Sequence, residues 1–159
     1  MELWIKIKKF IIMNYVKLVR EILDIAIKQS GINMSLDEDI YAINSMQAAK
    51  FPVFVCAPTE PQIERENYYE FHLTLYYIDR EQAANTEYGN AETSNIHSAG
   101  ISILGNIIKK IRAIDEVISV DENISYTLFN DTEVFADRCN GVCTTITVKV
   151  PKDSNCATY

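Results

Sequence analysis

The sequence predicts an α+β fold: an antiparallel β-sheet with long hairpins packed against one or two helices. Three observations carry that expectation. Residues 13–30, MNYVKLVREILDIAIKQS, repeat apolar positions at helical spacing. Residues 68–80, YYEFHLTLYYIDR, alternate apolar and polar positions at strand spacing. The order helix, strands, helix, strands lacks the regular alternation of a parallel βαβ fold.

The chain has 159 residues, 48% hydrophobic and 23% charged, ordinary proportions for one globular domain able to bury a sizeable core. Residues 13–151 read as that domain, residues 1–12 as an N-terminal extension or docking arm, and residues 152–159 as a polar tail. No apolar run approaches the roughly 18–20 residues of a spanning helix, and the basic, apolar start lacks a small-residue cleavage site, so neither membrane nor signal peptide is expected. Net charge is −7, unevenly spread. Residues 1–30 carry six basic and three acidic groups, whereas residues 31–100 carry three basic and eleven acidic groups. A middle section this acidic argues against sustained gripping of nucleic acid, which needs a basic face. It fits an acidic surface that meets a basic one on a neighbour.

Taken in order, the first helix carries Lys17, Arg20, Glu21, Asp24 and Lys28 on one stripe and Val16, Val19, Leu23 and Ala26 on another, with Gly31 as its stop. Within 32–50, IYAINSMQAAK is a short helix candidate. After Pro52, VFVCA reads as a strand, and 57–67 as an exposed loop. The strand at 68–80 puts Tyr69, Phe71, Leu73, Leu75 and Tyr77 on one face. Its four tyrosines exceed what a small core needs, and tyrosine is enriched at interfaces. Residues 81–95 read as a flexible loop that orders on assembly. Thr93 or Ser94 caps a second helix whose Ile96, Ile103, Ile107, Ile111 and Ile114 recur at helical spacing, and whose Gly100 and Gly105 admit close approach of a strand. VISV, ISYTLF, TEVFADR and VCTTITVKVP follow as strands.

Four cysteines at irregular spacing point to reduced thiols in a cytosol rather than a disulfide framework. Cys139 and Cys143 flank Asn140-Gly141, a strong type I′ hairpin signal. Pairing outward from that turn sets Cys139 opposite Val142 on a core face, with Cys143 on the other face, so the thiols do not converge on a metal. Cys156 reads as a thiol in the polar tail. His72 reads as a solvated strand residue and His97 as a solvated residue near a helix start; neither has a nucleophile motif beside it. No glycine-rich phosphate loop is present. No enzyme activity, cofactor or metal is expected.

The stretch ISYTLFNDTEVFADRCNGVCTTITVKVP, with Asp137 before Asn140-Gly141 and a closing strand from Val142 to Val150-Pro151, resembles the C-terminal hairpin of tail-completion, or tail-terminator-like, proteins of tailed bacteriophages. The order of elements from Met13 to Pro151 is similar too, whereas the first twelve residues depart from the usual beginning. The resemblance implies a virion structural protein that forms a closed ring at the neck or tail, including collar rings of the kind found in crAss-like phages. Its partners would be copies of itself, adjacent portal, neck or tail proteins, and passing genomic DNA met without sequence-specific contact. It would be made in the bacterial host cytoplasm, with no catalytic residues. Within that reading, Glu64, Glu66, Tyr68, Glu70 and Tyr76 are the expected interface residues. The alternatives are a non-viral α+β assembly or adaptor protein, and a small cysteine-dependent metal or redox protein.

Overall fold

Helix formation begins at Asn14, whose side-chain oxygen accepts the Lys17 N–H at 2.9 Å and so satisfies one of the unpaired donors at the start of α1, Tyr15–Ile27. The computed structural model describes residues 14–37, 50–80, 91–131 and 139–152, and only the backbone of 91, 92 and 131. The predicted helix at 40–50, except residue 50, and the strand at 132–138 lie outside the described residues, as do most of the loop at 81–95 and both termini. The buried arc of α1 is Leu18, Val19, Ile22 and Ala26. This corrects the predicted stripe: Val19 and Ala26 are in the core, but Leu23 is half-buried and Val16 is 56% exposed. At φ +94°, Gly31 takes the left-handed turn that ends this segment.

The strands are β1 Met34–Leu36, β2 Val53–Pro58, β3 Ile63–Glu64, β4 Tyr68–Arg80, β5 Ser119–Val120, β6 Thr127–Asp131 and β7 Cys139–Pro151; α2, Ala91–Arg112, follows β4. They form one mixed sheet in the order β1-β2-β4-β7-β5, with β3 beside β4 and β6 beside β7. All pairs are antiparallel except β1 with β2. The fold is α+β. Its spine is β4 against β7, thirteen residues each, paired from Tyr68↔Pro151 to Arg80↔Cys139.

Both helices pack on one face of the sheet. There β4 contributes Phe71, Leu73, Leu75 and Tyr77, as its alternation predicts, while β7 contributes Val142, Ile146, Val148 and Val150 and β2 contributes Phe54 and Cys56. Helix α2 answers with Ile96, Leu104, Ile107, Ile108 and Ile111. Each such side chain contributes on the order of 1.5–3 kcal/mol on full burial. Gly100 is where α2 meets the sheet most closely: a Cβ there would lie 2.7 Å from Val142 Cγ2 and 2.8 Å from Tyr77 Cδ1. The helix starts at Ala91, so Thr93 and Ser94 lie inside it rather than at its cap.

The Asn140-Gly141 turn is not there. Both residues lie within β7, facing Asp79 and Ile78 of β4 on one edge and Asn130 and Phe129 of β6 on the other. β6 instead pairs with β7 out to Asp131↔Cys139. Gly141 is needed for space, not for positive φ. A Cβ would meet the Tyr77 carbonyl oxygen at 2.3 Å and Phe129 Cζ at 2.5 Å. Asn140 is buried, and its amide donates to the Thr93 hydroxyl at 3.2 Å, tying β7 to α2.

On the outer edge of β7, β5 and β6 cover only the two ends. Between them the chain acts as a strap: Asp121 Oδ2 accepts the Thr147 N–H at 2.8 Å, the Ser125 carbonyl accepts from Thr144 Oγ1 at 2.7 Å, and Arg112 donates to the Asp121 carbonyl. An edge strand is thereby blunted without a continuous partner.

Candidate interaction surface

Alternation along β4 and β7 sends Tyr68, Glu70, His72, Thr74, Tyr76 and Ile78, with Cys139, Cys143, Thr145, Thr147 and Lys149, to the face opposite the helices. One end of that face is apolar. Val53, Val55, Ile78 and Cys139 are buried there beside Phe51, Tyr76 and Phe129. Towards the other end it turns polar and half-exposed. Threonine hydroxyls cross the sheet in a row: Thr59 meets Thr74 at 2.5 Å, and Thr74 meets Thr145 at 3.1 Å.

The segment 59–67 is pinned along β4. The Thr59 N–H donates to the His72 carbonyl at 2.9 Å and the Arg65 N–H to the Tyr68 carbonyl at 2.8 Å. Gln62 accepts the His72 N–H at 2.7 Å and donates to the His72 carbonyl at 3.0 Å. His72 Nδ1 lies 2.5 Å from the Pro61 carbonyl oxygen. The predicted loop therefore has a fixed backbone.

Of the five expected interface residues, Tyr68 and Glu70 lie on this face at this end. Glu64 pairs with Tyr69 across the strands and so sits on the helix side, and Glu66 lies in the short connection to β4. Glu70 is half-buried, with Oε1 3.3 Å from Arg65 Nε. Glu64 pairs with Lys152, a hydrogen bond that raises the Lys152 pKa. Lys149 Nζ sits 5.4 Å from the centre of the Tyr68 ring, within cation–π range. Glu66 is exposed and makes no ion pair among the described residues. Tyr76 does not join them. It lies eight residues further along β4, roughly 26 Å away at strand rise, with its ring edge-on to Phe129 at 6.5 Å. Two of the three glutamates are thus neutralised within the chain. The sequence reading missed Arg65 and Lys152, the cations that do this, and Lys149 over the Tyr68 ring. Their strand register was the missing signal.

The cysteine geometry also differs from expectation. Cys139 and Cys143 share a face of one strand, because no turn separates them. Four residues of rise still hold them about 13 Å apart, whereas two thiolates on one zinc each bind at about 2.3 Å. Burial raises the pKa of Cys143, partly offset by a hydrogen bond with Thr127, and pushes Cys56 up to about 12. Both remain thiols, the unreactive form, at neutral pH. His97 Nε2 lies 3.1 Å from the Phe129 carbonyl oxygen, a contact that ties α2 to β6. Among the described residues, no three His, Cys, Asp or Glu side chains are grouped to hold a metal ion, and no helix is long and apolar enough to cross a membrane.

No protein-family model matches the chain, and no curated protein is similar to it in sequence. What the surface offers chemically is a rigid, polar-aromatic sheet end, with its backbone fixed and its charges partly paired.

Proposed function

We infer that the chain is a virion structural subunit of a tailed bacteriophage. It forms a closed homo-oligomeric ring in the head-to-tail connector or tail-completion complex, joins portal to tail, and lets DNA pass through the lumen. The resemblance of 13–151 to tail-terminator-like proteins motivates this reading. The observation that supports it best is the long β4–β7 pair, which presents tyrosine and threonine side chains on a face that neither helix covers. A subunit with a helix layer on one side and such a face on the other offers two different surfaces, and head-to-tail contact between unlike surfaces closes into a ring when the rotation permits.

Negative-stain electron microscopy of the concentrated protein tests the reading. Rings of uniform diameter with an open centre are the expected result. Featureless monomers at every concentration would count against it. A gene neighbourhood of portal, capsid and tail genes separates a neck ring from an adaptor protein of the same shape.

A further inference from the structure

Residues 144–150 of β7, TTITVKV, carry six β-branched side chains and one charge, a composition that suits a pleated sheet. A segment of that kind pairs with a copy of itself when its edge is open. One edge is paired with β4 throughout. On the other, among the described residues, β5 pairs only Val148 and Lys149, and the Ile118 N–H donates to the Lys149 carbonyl at 2.8 Å. Over residues 144–147 the cover is the strap, and two of its three contacts run through Asp121. Its carboxylate takes the Thr147 N–H, and the Arg112 guanidinium donates to its carbonyl. Asp121 also follows β5 directly, so it fixes both pieces of the cover. Buried Val120 and half-buried Ile124 and Tyr126 pack beneath them.

The Lys149 carbonyl and the Thr147 N–H both bond outward, so Thr145, Thr147 and Lys149 are the residues whose backbone faces this edge. An antiparallel second copy centred on Thr147 therefore sets Thr145 of each copy opposite Lys149 of the other, with no like charges opposed. We propose that the strap 121–126 is an edge guard: it holds residues 144–150 of β7 back from pairing with the same segment of a second copy, and Asp121 is its latch. Without the latch, β5 and the strap lift and the two β7 strands pair about a twofold axis. That contact joins like surfaces, so the device stands apart from any head-to-tail ring.

Sedimentation velocity of full-chain variants across a concentration series tests this. Asp121→Ala should self-associate at least about tenfold more tightly than the wild type. Asp121→Asn keeps an oxygen for the Thr147 N–H and should stay within about twofold of it. Ile107→Val loosens the core of α2 but leaves the strap intact, and should also stay within about twofold. D121A/T145K sets lysine opposite Lys149 in the paired copies and should return association to the wild-type level. Should Asp121→Ala not fold, Arg112→Ala, which changes an exposed side chain and loosens the same residue, carries the comparison. If the latch variant associates no more tightly than the wild type, the strap guards nothing. Equal association by Ile107→Val, or no relief from the added lysine, would trace the contact to general loosening or another surface. Either result overturns the proposal.

Discussion

Phe129 of β6 lies over Gly141 of β7, so close that a Cβ on the glycine would stand 2.5 Å from the ring. Cross-strand aromatic–glycine pairing of this kind protects a glycine that would otherwise weaken a strand. On the other side of β7 the Tyr77 carbonyl oxygen takes the remaining space. Gly141→Ala should therefore lose roughly 1–3 kcal/mol, the usual cost of overpacking, or about 2–12 °C in Tm. A thermal melt within 1 °C of wild type would contradict the packing described.

Gly100 makes the opposite case for a helix. Alanine gains nearly 1 kcal/mol of intrinsic helix propensity over glycine, so Gly100→Ala would stabilise an exposed helix. Here the added methyl meets Val142 and Tyr77, and the net change should be a loss of about 1 kcal/mol or more. Val142→Ala in the same chain makes room, so the double variant should be less destabilised than the two single losses combined. Urea titrations of the three variants decide it.

These two glycines show how much of the fold the sequence carried. Gly100 was legible as a close-approach residue, because a glycine inside a strong helical pattern needs a packing reason. Gly141 was not. Asn-Gly between alternating runs signals a turn locally, and that signal lost to tertiary pairing: β4 and β6 hold both edges of the strand through 140 and 141. Moving the hairpin also moved Cys139 and Cys143 onto one face. At the interaction surface, the 68–80 alternation correctly sent Tyr68, Glu70 and Tyr76 to one side. It carried no information about Lys149, which reaches that surface only through pairing with Glu70 across more than 70 positions of sequence.

Asp121 supplies what a neighbouring strand would, a partner for the Thr147 N–H. Asp121→Ala should cost on the order of 1.5–3 kcal/mol, the range for a hydrogen bond to a charged group. The more specific readout is hydrogen exchange. The Thr147 amide should exchange at least about tenfold faster in the variant, while Phe71 and Leu73 amides change only as far as global stability does. Unaltered exchange at Thr147 would mean that the strap is held by something other than this carboxylate.

Burial pushes both Cys56 and Tyr77 up to about 12, Tyr77 with a smaller contribution from Asp79. In the unfolded chain these groups ionise near 9.0 and 10.0. Between about pH 9 and pH 12 the folded state therefore binds more protons than the unfolded one. Their contribution to stability is complete below pH 9 and falls as pH rises through that window. Stability measured by urea unfolding should decline steadily from pH 9 to pH 11, and Cys56 should resist alkylation at pH 8 until the protein unfolds. A flat profile above pH 9 would contradict the burial of these two groups.

The claim that organises the account is self-assembly into a ring, and the most direct measurement is the mass of the purified full chain by light scattering across a concentration series at low and high salt. The account predicts one discrete oligomer, many times the 18.1 kDa subunit mass, that dissociates as salt screens its exposed charge pairs. A monomer of subunit mass at every concentration and ionic strength would contradict it.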